Sequence, residues 1–426
     1  MAIIGSLSIA RSGLVATRDA MSVTANNIAN VNTTAFKGSR PEFADLLSTI
    51  RGGVEVGLGT RLAAASQTPT QGNIESTGRS TDLAIEGNGF FVLGEGSGLV
   101  YSRAGDFRVD KEGFLVNLQG LRVQGFNLTS EGQAIGGLVD IGFAQFSTEA
   151  AATTRITLRN NLQSDAPLIP GGFDGTSFES ANSTSNFTTT VPAFDSLGQR
   201  HELTLFFTRT GPGAWDVNVG VDDGDTGGTS GDLNVLGTMS LTFDSSGALT
   251  GPDPTDLASV TFNGAAAQTI TIDFGTPTTA PDDGLGRDGV VQLAGSSNVA
   301  GTQNGFAAGD LQGIAFDTDG LLTGIFNNGQ TRTLFQLALA DFTAPDRLTS
   351  IGNQLFRESV SSGSPAIGKP DSSGLGRIIS NSLERSNVDL AQEFIDLISL
   401  QRAFQANARV ITTSDGLLTD LINIVR

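Results

Sequence analysis

The sequence predicts a mainly β protein closed at both ends by long α-helices. Three observations carry that prediction. Residues near each terminus repeat apolar side chains at alternating steps of four and three. The stretch between them is cut into short apolar runs by Gly and Asp. Gly counts 55 and Phe 26 among 426 residues, so tight turns are plentiful and Phe must fill the cores.

The first helix is predicted over residues 3–31. Its seam runs Ile3, Leu7, Ala10, Leu14, Thr17, Met21, Thr24, Ile28, Val31, with Arg11, Arg18 and Asp19 off it. Side chains at that spacing share one helix face, which is the pattern of a coiled-coil seam. Residues 32–70 mix Gly with one short amphipathic piece, Glu42 to Ile50, and read as a linker. Next come short strands such as Phe90 to Leu93, Gly113 to Val116 and Leu121 to Val123. The same style returns at Gly313 to Phe316, Leu321 to Phe326 and Leu334 to Ala340, with turns at Asp317-Thr318-Asp319-Gly320 and Asn327-Asn328-Gly329. Short strands joined by tight turns indicate antiparallel sandwiches or barrels.

The block from 145 to 299 is β-like as well, with runs at Phe187 to Val191, Glu202 to Thr208, Trp215 to Val221, Met239 to Phe243 and Ile270 to Phe274. It holds 18 Asp/Glu against 5 Lys/Arg, a net −13 that is most of the chain's formal charge of −19. Such a surface stays solvated and repels nucleic acid and anionic membrane. The last helix carries the longer seam: Leu390, Phe394, Leu397, Gln401, Phe404, Ala408, Ile411, Asp415, Leu418, Ile422, Val425. Ser386 is its N-cap candidate, with Asp389 placed to reach back. At 1.5 Å per residue these helices would be roughly 40 and 60 Å long. Neither can bury its seam alone. A two-helix hairpin within one chain and a bundle between chains both satisfy the periodicity.

Composition removes most chemistry. Cys is absent, which excludes disulfides and thiolate ligands. The single His201 precedes the run Leu203 to Thr208 and reads as an exposed residue at a strand start. No apolar run reaches the ~18–20 residues a bilayer span needs, and Arg11 and Arg18 interrupt any signal-peptide core. Asp222 to Gly228 fails two ligand positions of a calcium loop and reads as an acidic turn. Gly94-Glu95-Gly96-Ser97-Gly98 lacks a following helix and carries Glu95, so it is no phosphate cradle. No catalytic residue, cofactor site or metal site is expected.

Asn26-Asn27-Ile28-Ala29-Asn30-Val31-Asn32-Thr33-Thr34-Ala35-Phe36-Lys37 resembles the signature of the flagellar rod and hook protein family. The family usually has Gly where this chain has Ala35. Leu383 to Ala391 and Gln401 to Ala408 resemble its C-terminal signature, while Gly87 to Val92 and Tyr101 to Phe107 are similar to its inner β domain. Val191 to Gly198 followed by Trp215 resembles the outer domain of hook members, and Asn327 to Arg332 is also hook-like.

The resemblance implies a non-enzymatic subunit that polymerises with copies of itself into a curved tube, the universal joint carrying torque from rod to filament. It implies uncleaved type III export to the cell exterior. It implies contacts with a hook cap protein, the distal rod and hook–filament junction proteins, without nucleic acid or membrane insertion. The expected layout is a terminal helical domain (1–31 with 383–426), the linker 32–70, an inner β domain (71–144 with 300–382) and an outer acidic β domain (145–299). Asn26, Asn27, Ile28, Ala29, Asn30, Asn32, Thr33, Phe36 and Lys37 would form the helix–linker junction. Ile3, Leu7, Leu14, Met21, Ile28, Leu390, Phe394, Leu397, Phe404, Ile411, Leu418 and Ile422 would form the assembly seam. A distal rod subunit, or a secreted β-rich adhesin or enzyme, is the alternative.

Overall fold

A computed structural model describes residues 2–46, 49–51, 54–96, 98–129, 132–143, 146–257, 259–279 and 284–424. Side chains at 2–4, 49–51, 54–56 and 421–424 lie outside that description. Among the described residues the α-helices are α1 (Ala2–Ala29), the short α2 (Phe178–Ser183) and α3 (Leu390–Ile424). The chain forms two compact units. One comprises residues 1–146, 311–325 and 331–426, the other 147–310 and 326–330.

In the first unit, most of the β structure is an antiparallel sheet. Strand Phe90–Glu95 pairs with Gly98–Ser102 and with Arg122–Leu128, which in turn pairs with Thr331–Leu337. Asp317 closes the turn before Leu321 as expected, its carboxylate accepting from Asp319 and Leu321 N–H. The core here is aromatic. Val92, Tyr101, Ala338, Ala340, Phe342 and Phe356 are buried together, and the Tyr101 and Phe342 rings meet edge to face at 4.8 Å. That arrangement suits the quadrupoles of the two rings, and it explains how a chain with so much Phe packs.

Residues 32–70, expected as a linker, contain a hairpin. Ser39–Asp45 pairs with Thr60–Gln67 from Ser39↔Gln67 to Asp45↔Thr60, with a bulge between Glu42 and Phe43. The amphipathic piece Glu42 to Ile50 is therefore strand through Asp45, and its remainder falls partly outside the described residues. The burial alternation of these strands is weak, so period-two patterning gives little signal. Gly59, at φ +112°, lies so close to Ser12 of α1 that a Cβ would collide with its Oγ. Ser12 Oγ accepts from Thr60 N–H at 3.1 Å. The hairpin is thereby pinned to α1.

The second unit is a two-sheet sandwich. One sheet is an antiparallel meander of Phe187–Phe194, Arg200–Gly211, Ala214–Asp222, Leu233–Phe243 and Leu249–Gly251. The other centres on Arg155–Gln163, whose pairings with Thr271–Asp273 and Val290–Leu293 are parallel. Alternate residues Trp215, Val217, Val219 and Val221 point into a core shared with Ile156, Leu158, Phe262 and Phe274. Asp222 to Gly228 forms a capped 3-10 turn, with Asp222 accepting from Gly224 N–H.

His201 is buried, not exposed. Its ring stacks on Phe262 at 3.9 Å, with Asp225 Oδ2 3.0 Å from Nδ1 and Asp195 Oδ2 3.4 Å from Nε2. Burial pushes the Asp195 carboxyl upward. Backbone donors from Gln199 and Leu197 and the His201 ring outweigh it, leaving Asp195 below the usual carboxylate range. Asp195 comes from the turn six residues before it, while Asp225 and Phe262 come from later in the chain, which the local run around His201 does not reveal.

Candidate functional site

α1 and α3 pack antiparallel without a slip in register. Asn27 Nδ2 donates to Glu393 Oε1 at 2.9 Å, Gly13 abuts Asn407, and Ser6 Oγ lies 3.5 Å from Ser414 Oγ. Each step up α1 is matched by an equal step down α3. The buried stripe of α1 is Ala10, Gly13, Ala16, Thr17, Ala20, Thr24 and Asn27, all small or hydrogen-bonded. A Cβ on Gly13 would stand 2.7 Å from Asn407 Nδ2, so the two backbones approach closely only because that position is glycine.

Only part of the expected α1 seam is in this stripe. Ala10, Thr17 and Thr24 are buried, whereas Leu7, Leu14, Met21 and Ile28 are half-buried. The reason is steric: close helix contact selects small side chains and displaces large ones to the flanks. On α3, Leu397, Phe404, Ile411 and Leu418 are half-buried on the side turned to α1, while Leu390 and Phe394 are exposed. The side chains of Ile3 and Ile422, and all of Val425, lie outside the described residues. The periodicity places Phe394 in the seam and does not reveal the second apolar face it shares with Ile395, Ile398, Val410 and Leu417, all 44–60% exposed. A helix that is apolar on two sides has burial left to gain.

The N-cap of α3 is Asp389, not Ser386. Its Oδ1 accepts from Ala391 N–H at 2.8 Å and from Gln392 N–H at 3.3 Å. The helix starts three residues later than a Ser386 cap requires.

The motif Asn26 to Lys37 builds the exit from α1. Asn27 Oδ1 accepts from Ser39 N–H at 2.9 Å, and its amide donates to Ser39 O at 2.8 Å, tying helix to hairpin. Asn30 Nδ2 donates to Asn26 O and Oδ1, and Thr33 Oγ1 donates to Asn30 Oδ1. Ile28 and Phe36 are half-buried, and Ala29 and Asn32 are exposed. Ala35 sits at φ +55°, the left-handed region that glycine occupies freely. Its N–H donates to Glu384 O at 2.8 Å, so the strained residue is held by the returning chain.

Lys37 is the centre of the junction. Its Nζ donates to Glu384 Oε1 at 2.5 Å and to Thr70 O at 2.8 Å, and both charged side chains are almost wholly buried. Burial drives the Lys37 ammonium below its ordinary value, against the opposing pull of Glu384. Glu384 Oε1 also accepts from Gly72 N–H at 2.8 Å. Asn387 Oδ1 accepts from Gly38 N–H, and its amide donates to Thr68 and Thr70 carbonyls. The chain leaving α1 and the chain entering α3 are thus locked together within a few residues. Glu384 and Asn387 stand in the quoted C-terminal motif, but nothing local in the sequence marks either as Lys37's neighbour.

Among the described residues no cluster of His, Cys, Asp or Glu is arranged to hold a metal ion. No described helix is long and apolar enough to cross a membrane.

Family models place the chain among flagellar axial proteins. They match the flagella basal body rod protein at residues 7–37, the flagellar hook protein FlgE/F/G D1 domain at 84–164, the flagellar basal body protein FlaE D2 domain at 161–306, and the flagellar basal body rod FlgEFG protein C-terminal at 379–424. The flagellar hook protein FlgE of Escherichia coli strain K12 is 34% identical, over 98% of this chain and 99% of that one. The flagellar hook protein FlgE of Borreliella burgdorferi is 35% identical, over 97% of this chain and 98% of that one. A solved structure of Helicobacter pylori flagellar hook protein FlgE2 covers 73% of this chain and 100% of its own, at 14% identity and a TM-score of 0.48. The chain belongs to the flagellar hook protein family: it is a structural subunit of the flagellum's hook and not an enzyme.

Proposed function

We propose that this chain builds the hook by packing its terminal helices against those of neighbouring copies, giving a curved tube that transmits torque from rod to filament. The observation that carries the reading is the bare apolar face of α3, which the helix pair alone leaves in water. Burying one large apolar side chain is worth about 1.5–3 kcal/mol, so several per copy outweigh the ordering cost of assembly. A helical array of one chain needs non-closing, head-to-tail contacts. Leu7, Leu14, Met21, Ile28, Leu390, Phe394, Leu397, Phe404, Ile411 and Leu418 serve as its seam, and the motif clasp fixes the angle at which the helices leave the first unit's β structure. Uncleaved type III export, a cap protein at the growing end, and the distal rod and junction proteins at the two ends complete the assembly.

The acidic unit tunes shape and mechanics in this reading. Ser147 and Asp310 are backbone partners across an antiparallel pair, so the chain enters and leaves residues 147–310 at one place. A short Gly-Ser bridge can close that gap. The full chain, expressed in cells lacking a hook subunit, is expected to restore hooks and swimming. The bridged variant should still form tubes, straight or irregular, with poor swimming. Failure of the full chain to form hooks would overturn the reading. A folded bridged variant that cannot polymerise would show that the acidic unit supplies cohesion.

A further inference from the structure

Charge along α3 is banded. Asp389, Glu393 and Asp396 come first, Arg402 and Arg409 stand in the middle, and Asp415 and Asp420 follow. The antiparallel register cannot neutralise the middle band. It sets Arg11 level with Arg409 and Arg18 level with Arg402, like charge beside like. Arg18 pairs with its own neighbour Asp19. Among the described residues, Arg402 and Arg409 are exposed and take part in no ion pair, and the same holds for Asp389, Asp396 and Asp415.

Spacing supplies the second half of the observation. Asp389 and Asp396 are seven residues apart, as are Arg402 and Arg409, so each pair lies along one helix stripe two turns long. Sliding one copy of α3 thirteen residues along a parallel copy brings Arg402 level with Asp389, Arg409 level with Asp396 and Asp415 level with Arg402, the first two pairs each joining one stripe to one stripe. That stagger opposes no like charges. Among shifts up to twenty residues, the next best, six, gives two opposite pairs. The thirteen-residue shift also brings the exposed Val410 and Leu417 level with Leu397 and Phe404. The Asp389 and Asp396 side chains border an open cleft of about 610 Å³ beside α1, where Arg40 is the one lining cation.

We propose that this surface takes a second copy of the same chain, its α3 parallel and offset by thirteen residues, about 20 Å at 1.5 Å per residue. The arginines of one copy enter the acidic cleft of the next. This rests on the reading of the chain as a helical homopolymer, which makes neighbouring α3 helices parallel. Charge then sets the axial register, while the apolar faces supply cohesion. In-register packing, equally apolar, is opposed by like charges at every level.

The test is a charge swap at one pair, in the full chain added to sheared fragments of its own polymer. Arg409→Asp alone and Asp396→Arg alone should each raise the critical concentration for growth, by about fivefold at low salt, and less as salt screens the pair. The double variant should return close to the unaltered chain. Both positions are exposed, so circular dichroism of the soluble chains should not change. Electron microscopy of the polymer should show parallel α3 helices of contacting copies offset by about 20 Å. Unchanged growth in both single variants, absence of rescue in the double, or an offset incompatible with thirteen residues would overturn the pairing and leave the assembly reading standing. An unaltered chain that never polymerises would overturn both.

Discussion

Phe404→Asp is expected to abolish polymerisation while leaving both β-rich units folded. Phe404 is half-buried on the side of α3 turned to α1, between the contacts at Glu393 and Asn407. In a polymer its remaining surface would be covered, and a carboxylate there would be left without a partner. Burying an unpaired charge costs several kcal/mol, and the loss repeats at every subunit. Among the described residues, the aromatic core around Tyr101 and the core around Trp215 contain no part of α3. The single Trp215 lies in the core of the second unit and the single Tyr101 in that of the first. Their absorbance and fluorescence report each unit separately, and neither should change. Leu14→Asp, on the flank of α1, should behave likewise. Normal tubes from either variant would show that the seam lies elsewhere.

Glu384→Ala should destabilise the first unit by about 3–5 kcal/mol, the range for removing one partner of a buried ion pair. It leaves the Lys37 ammonium buried beside a single carbonyl and deprives Gly72 N–H of its acceptor. Denaturant unfolding followed at Tyr101 reads the loss, and the Trp215 transition serves as the internal control. Replacing both members, Lys37→Met with Glu384→Leu, should recover much of the stability, because a well-packed apolar pair carries no desolvation cost. The double variant should then polymerise poorly if the clasp fixes the helix exit angle. A loss below about 1 kcal/mol in Glu384→Ala, typical of exposed ion pairs, would mean that Lys37 finds another partner or water.

The helical ends and most β runs were legible because their periods are local. Seven-residue spacing over 28 and 35 residues leaves little choice of structure, and Asp317 or Asn327 announces a turn by its own side-chain chemistry. What stayed hidden depends on partners far along the chain. The hairpin at Ser39–Asp45 and Thr60–Gln67 is held to α1 through Gly59 and Ser12, not through an alternating core face. His201 is enclosed by Asp195, Asp225 and Phe262. Glu384 meets Lys37 across 347 residues of sequence. The seam itself was half legible. Periodicity locates a stripe on α1, yet only the approach of α3 decides that Gly13, Ala20 and Asn27 go inside while Leu14 and Met21 stay on the flank.

In the proposed assembly, α1 and α3 complete their burial only between copies. Amide hydrogen exchange, compared in the soluble chain and its polymer, tests it most directly. A lone pair of helices resting on a stripe of small residues should open often. Amides of residues 5–30 and 390–420 are therefore expected to exchange quickly in the soluble chain and to slow by orders of magnitude in the tube. Those in the strands around Trp215 and Tyr101 should exchange at the same rate in both. Equal, strong protection of both helices in the soluble chain and the polymer would mean that the pair is complete within one chain, and the claim would fall.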